Sequence, residues 1–266
     1  MKYALVDGQR QEAQPGRSGV CPACDGPMVA RCGDVRVHHW AHRVGTECDR
    51  WWEPETEWHR NWKRHFPAEW QEVVLSAVNG DKHIADVRTD QGWVLEFQHS
   101  PIHPDERQSR EAFYQNMLWI VDATRRKRDK SQFMKACQRR TLVVKTAGLA
   151  RIPLPDDCAL LRDWAGSRAP VFFDFAGYDE AAAPALWCLY RVIDGVAFVG
   201  SFSREDLIKY HAPEAKQNGL DFTALLRETG EVLETYATLR HQGFSDPRAD
   251  LLRQRELQLR RKRFRF

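Results

Sequence analysis

Two carboxylates, Asp86 and Glu96, lie ten positions apart in the stretch Lys82 to Ser100, each in the middle of an apolar run. Asp86 sits between Ala85 and Val87, Glu96 between Leu95 and Phe97, and Gln98 follows on the face that Glu96 uses, because side chains alternate along a strand. An isolated carboxylate in such surroundings is costly to bury unless it is paired or bound to a cation. A divalent ion held by two acids activates a water and stabilises charge at phosphorus, so the chemistry these residues suggest is phosphodiester hydrolysis with Mg²⁺ or Mn²⁺. Spacing alone also fits two solvated acids on an edge strand. The apolar character of both faces around Glu96, from Trp93 to Phe97, argues instead for a central strand.

A second group of residues points to a different metal. Cys21 and Cys24 have the two-residue gap from which both thiolates reach one ion, and Cys32, His38, His39, His42 and Cys48 follow within the next two dozen positions. The favoured ligand set is Cys21, Cys24, His42 and Cys48, with His39 and His42 as the competing second pair. Four protein ligands leave no open position, so this zinc is read as structural.

The elements that must position these groups follow from pattern. Tyr3 to Val6 reads as a strand, followed by a polar connection to the cysteine segment. Glu53-Pro54 leads into a helix over 55–66 that ends at Pro67, and strands are expected over 69–75, 83–88 and 93–98, with turns at Asn79-Gly80-Asp81 and Asp90-Gln91-Gly92. A helix over 105–116 and a strand over 118–122 complete the order helix, three strands, helix, strand. Beyond these come a charged helix over 125–140 and a strand over 141–145. A mixed stretch over 152–167 precedes strands over 170–175, 185–193 and 196–201, the last two joined at Asp194-Gly195, and then a helical C-terminus. The implied domains are residues 1–52, 53–150 and 151–266.

The 266 residues carry a net charge of only +3, so overall charge does not announce a nucleic-acid partner. Basic runs at Arg125-Arg126-Lys127-Arg128 and Arg260-Arg261-Lys262-Arg263 are solvated faces or phosphate contacts. No stretch is long and apolar enough to span a membrane, the N-terminus lacks the apolar core of a signal peptide, and four of seven cysteines cluster between Cys21 and Cys48. These features suggest a cytoplasmic protein with metal-bound thiolates rather than disulfides.

In this order, Cys-Pro-x-Cys, His-Trp-Ala-His, Glu-Trp-His-x-x-Trp-Lys, Ala-Asp-Val, Glu-Phe-Gln-x-Ser and Arg-x-x-x-Tyr resemble the competence protein CoiA-like family over residues 18 to 125. That family is similar to the PD-(D/E)xK nuclease superfamily. The resemblance implies an α/β nuclease core behind a zinc-ribbon-like segment, with an α+β C-terminal region of unknown role. It assigns Asp86 and Glu96 to the catalytic metal and Gln98 to the place where most of the superfamily has lysine. Glu57, His59 and Lys63 match the first-helix motif, with Glu57 as its acid, and Arg110 and Tyr114 match Arg-x-x-x-Tyr. A neutral amide does not stabilise developing negative charge as an ammonium does, though it orients water, and Lys63 or Arg110 is left to supply the charge. The implied function is metal-dependent DNA cleavage in DNA uptake, recombination or defence. The alternatives are an impaired nuclease fold that grips DNA or a protein partner, and a zinc-ribbon interaction module.

Overall fold

The computed structural model describes residues 1–43, 48–51, 53–78, 80–144, 148–175 and 186–242. The chain divides into two compact units, Met1–Asp122 and Ala123–Phe266.

The first unit opens with five short antiparallel strands, β1 (Tyr3–Val6), β2 (Gln9–Glu12), β3 (Ser18–Val20), β4 (Pro27–Arg31) and β5 (His39–His42), in the order β2-β1-β3-β4-β5. The sequence reading assigned only β1. The polar β2 carries no apolar alternation and forms because Asp7 and Gly8, both at positive φ, turn the chain back onto β1. The small core of this sheet holds Ala4, Met28 and Trp40, and Val74 and Ile84 pack against it.

The helix α1 (Glu57–Lys63) starts two residues later than its composition suggests, because Thr56 is its N-cap. Its capping box uses His59 where glutamate or glutamine is usual: the Thr56 N–H donates to His59 Nδ1 at 3.1 Å. There follow β6 (Gln71–Ser76), β7 (Lys82–Arg88), β8 (Val94–Gln98), α2 (Pro104–Tyr114) and β9 (Met117–Asp122). The strands lie side by side in that order, β6, β7 and β8 antiparallel and β8 parallel to β9. The helix, three strands, helix, strand order therefore stands. Every residue of β8 and β9 is buried, which explains the continuous apolar runs in both. Asn79, in one expected turn, lies outside the described residues.

The second unit contains α3 (Asp129–Cys137), β10 (Thr141–Val144), β11 (Leu149–Pro153), α4 (Ala159–Trp164), β12 (Val171–Asp174), β13 (Leu186–Ile193), β14 (Val196–Phe202), α5 (Arg204–His211) and α6 (Phe222–His241). Its strands run β10-β11-β14-β13-β12, all antiparallel. The stretch left mixed over 152–167 resolves into the end of β11 and α4. The Asp194-Gly195 turn joins β13 and β14, with both residues at positive φ. Asp174 is fully buried and accepts hydrogen bonds from Arg204 Nε and Nη2 at 3.1 and 2.6 Å. In the basic run Arg126 is held by Asp129 and Asp163, while Arg125, Lys127 and Arg128 are exposed. The run at 260–263 lies outside the described residues. All seven cysteines are free thiols. Among the described residues no helix is long and apolar enough to cross a membrane.

Candidate active site and metal centre

β7 and β8 pair at Val87↔Leu95 and Arg88↔Val94 and then part. Where the next backbone pair would form, the two carboxylates take its place. The Asp86 N–H donates to Glu96 Oε1 at 3.2 Å, and the Phe97 N–H donates to Asp86 Oδ2 at 3.0 Å. The acids thus sit in the fork of two diverging strands, beside a cavity of about 70 Å³.

Three cationic or donor groups from the flanking helices reach this fork. Lys63, at the end of α1 and buried, places Nζ 2.8 Å from Asp86 Oδ1, 3.1 Å from Glu55 and 3.3 Å from Glu72. Burial opposes its charge, but the three acids outweigh that and hold the ammonium well above its ordinary range. Arg110 on α2 donates from Nη1 to Glu96 Oε2 at 3.0 Å, and its Nη2 donates to the Trp51 carbonyl. Tyr114, one turn further on, also lines the cavity, and burial together with the Glu96 charge pushes its phenol up. Glu96 is buried, and desolvation with the nearby Asp86 charge pushes its carboxyl up to about 8, against the pull of Arg110.

Glu72 takes a left-handed backbone, φ +49°, and is left unpaired opposite Asp86 between the pairs Gln71↔Val87 and Val73↔Ala85, with the register unchanged on either side. Such a conformation costs about 1–2 kcal/mol for a residue with a Cβ. Its carboxylate accepts from the N–H groups of Lys2 and Tyr3 at 2.6 and 2.9 Å, which ties β1 to the wall of the site. Burial alone would raise its pKa, but Lys63, the N-terminal charge and these bonds lower it to about 2.

His59 and Gln98 meet at a residue the motifs did not mark, Glu53. Because His59 Nδ1 accepts from Thr56, its Nε2 carries the proton and donates to Glu53 Oε1 at 2.7 Å. Glu53 also accepts from Gln98 Nε2 and from the N–H groups of His99 and Ser100, at 3.1 to 3.2 Å. Burial opposes its ionisation, yet these donors hold the carboxyl below its usual range. The Gln98 amide nitrogen is spent on Glu53 and the Ser100 carbonyl, while its buried Oε1 has no hydrogen-bond partner among the described residues.

The structure brings together Asp86, Glu96, Lys63, Arg110 and Tyr114 around the cavity, with His59 on its wall and Gln98 behind Glu53. It does not bring Glu57 there. With the helix starting at Glu57, that side chain is exposed and 3.9 Å from Arg64, while Glu55, ahead of the N-cap, turns in to Lys63. Asp49, Glu53, Glu55 and Glu72 are cavity acids the sequence reading missed. Their only signal was acids at 49, 53 and 55 flanking Pro54 in a stretch without helical or strand period. Glu53→Ala, which frees four donors, is expected to destabilise the protein by about 1–3 kcal/mol, whereas Glu57→Ala, at an exposed side chain, is expected to change stability by less than about 0.5 kcal/mol, and urea unfolding followed by circular dichroism compares them.

In the N-terminal sheet the ligand atoms of Cys21, Cys24, His42 and Cys48 all lie within 4.8 Å of one another. Cys21 Sγ is 3.6 Å from Cys48 Sγ, and Cys24 Sγ is 3.3 Å from His42 Nε2. Tetrahedral zinc, with Zn–S about 2.3 Å and Zn–N about 2.0 Å, sets such pairs about 3.5–3.8 Å apart, so this donor set fits the ion. The Cys21–Cys24 turn closes through the Asp25 N–H donating to the Cys21 carbonyl at 3.0 Å, with Asp25 at positive φ. His39 and His42 are three apart on a strand and face opposite sides, and His39 Nδ1 bonds the Val37 carbonyl instead. The segment after Cys48 carries this cluster's position into the cavity. Asp49 accepts from His83 Nδ1 and the Ile84 N–H, both at 2.8 Å, Trp51 stacks on His83, and Glu53 follows.

Residues 7–50 match the family model described as competence protein CoiA, N-terminal domain, and residues 69–159 match competence protein CoiA, nuclease-like domain. A Cys/His segment followed by a nuclease-like domain defines this as a nuclease-like protein of mixed α/β architecture. The chain belongs to the competence protein CoiA-like family. Competence protein CoiA from Bacillus subtilis (strain 168) is 26% identical over 144 residues, which is 49% of this chain and 38% of that relative's length. No solved structure matches the chain.

Proposed function

We propose that the chain is a divalent-metal-dependent deoxyribonuclease built on a PD-(D/E)xK-like core, α1 to β9, behind a zinc-ribbon-like segment. It would act on DNA in the cytoplasm, in uptake, recombination or defence. The observation that carries the reading is the pair Asp86 and Glu96 in the strand fork, a half-buried and a buried acid, the second driven toward protonation by its burial and by the charge of the first.

That donor set suits Mg²⁺ or Mn²⁺, hard ions that take carboxylate oxygens. Bound there, the ion supplies Lewis acidity at a phosphoryl oxygen and a more acidic water. The chain's own residues do the rest. Lys63 holds Asp86 and sets an ammonium beside the fork, the place left short of charge by Gln98. Arg110 orients Glu96, and the Tyr114 phenol, kept protonated by its surroundings, offers a donor to a phosphate oxygen. Glu53 fixes His59 and Gln98 so that the wall does not shift as substrate enters.

A second reading, a nuclease fold that binds DNA without cutting it, is favoured by one feature: both Gln98 amide hydrogens point at protein acceptors and none at the fork. Comparing wild type with Glu96→Ala on linear, circular and branched DNA decides between them. Cleavage that needs Mg²⁺ or Mn²⁺ and disappears in the variant supports the enzyme; no cleavage by wild type under any of these conditions leaves only the binding reading.

The raised Glu96 pKa adds a pH dependence. Below about 8 the acid is protonated, so ion binding must release a proton, and affinity rises with pH until about 8 and then levels. Titration calorimetry at pH 7 in buffers of different ionisation enthalpy is expected to show about one proton released per Mg²⁺.

A further inference from the structure

His99 follows β8 directly, three residues beyond Glu96, a distance of about 10 Å along an extended chain. Its Nδ1 bonds Oδ2 of Asp122 at 2.8 Å, and Asp122 ends β9, the parallel neighbour of β8 with Gln98 opposite Val121. The dyad therefore sits at the carboxyl ends of two parallel strands, the edge at which open α/β sheets place their ligands. Asp122 is buried, whereas the His99 side chain is 34% exposed, and among the described residues nothing bonds its Nε2. The ring lies 6.2 Å from the His59 ring and 6.4 Å from Trp58, and the His99 N–H is donated to Glu53 at 3.1 Å. The group is thus fixed at its backbone to Glu53 of the cavity wall and at one ring nitrogen to Asp122, and open at the other.

An aspartate at Nδ1 fixes the ring plane and aims Nε2 away from the protein, where a protonated ring donates to an anion. We propose that His99, oriented by Asp122, contacts a backbone phosphate of the bound DNA adjacent to the one that is cut. The titratable groups facing the ring are Asp122 from β9, Glu53 from the segment before α1 and His59 from α1, and the open Nε2 edge is the side left for the arriving phosphate. His99 binds substrate, Asp122 is a positioning residue, and neither holds the metal. The proposal rests on the reading of the fork as a site for DNA.

The test measures binding apart from cleavage. The full chain carrying Asp86→Asn, so that DNA stays intact, is titrated against a fluorescein-labelled duplex with and without His99→Gln. The expected result is about 5- to 10-fold weaker binding for His99→Gln and a slope of log K against log salt smaller by about one, the loss of one phosphate contact. Asp122→Asn gives a smaller loss in the same direction. In the cleaving protein, His99→Gln raises KM and changes kcat less than about 2-fold. A scan of single neutral methylphosphonates along one strand is expected to find a position that weakens the parent but not His99→Gln. Equal binding, equal salt slopes and equal sensitivity at every position overturn the proposal. DNA that is bound with this signature but never cut removes the nuclease reading and keeps the contact. DNA that is cut without the signature does the reverse, and failure to bind DNA removes both.

Discussion

Asp86→Ala is expected to abolish metal-dependent cleavage, by at least about 10³-fold, while the protein remains folded. The size follows from what the carboxylate does in the fork. It is one of two acids proposed to hold the ion, and loss of an interaction worth about 4 kcal/mol in the transition state lowers the rate about 10³-fold. It also accepts the Phe97 N–H, so the fork itself loosens when the side chain is removed. Folding is spared because the charged partners left behind are not orphaned, and the one lost acceptor is that of the Phe97 N–H. Lys63 keeps Glu55 and Glu72, and Glu96 keeps Arg110 and loses a like charge. The carboxyl of Glu96 should therefore titrate below its wild-type value of about 8, and the calorimetric proton release should vanish with the ion. Unchanged cleavage by Asp86→Ala, under conditions where wild type cuts, would remove this fork as the reaction centre.

The second large effect is expected at the zinc cluster. Cys48→Ser, or Cys21→Ser with Cys24→Ser, should abolish zinc retention by elemental analysis and unfold the N-terminal sheet. Structural zinc contributes about 10–16 kcal/mol in small zinc-dependent segments, more than the small core of Ala4, Met28 and Trp40 can replace. The consequence extends to the cavity. Asp49 follows Cys48 and pins β7 through His83 and Ile84, and the same strand carries Asp86 two residues on. Trp51 and Glu53, further along, hold Arg110 and His59. Zinc loss is thus expected to lower cleavage at least about 10-fold even when Mg²⁺ saturates. Near-wild-type zinc content in Cys48→Ser would show that the four side chains do not form one metal site.

Sequence alone went far where the physics is local. The apolar run around Glu96 announced a central strand because burial on both faces leaves a continuous hydrophobic signature, and β8 is that strand. The Cys21–Cys24 gap announced a turn with two thiolates on one side, and the favoured partners His42 and Cys48 are the ones brought beside it. The order of helices and strands from α1 to β9 was legible for the same reason, since each carries its own periodicity. Tertiary placement decided what periodicity does not encode. Glu55 faces Lys63 and Glu57 faces water because the Thr56 cap starts the helix between them. Glu72 reaches the site through a left-handed backbone inside a strand, and Asp49 and Glu53 reach it along an irregular segment held by long-range hydrogen bonds. Asp86 and Glu96 show both sides. The sequence determined that Asp86 and Glu96 lie in strands. Only the folded chain decided that those strands part at that point, leaving a half-buried Asp86 with Lys63 on it and a buried Glu96 with Arg110 on it.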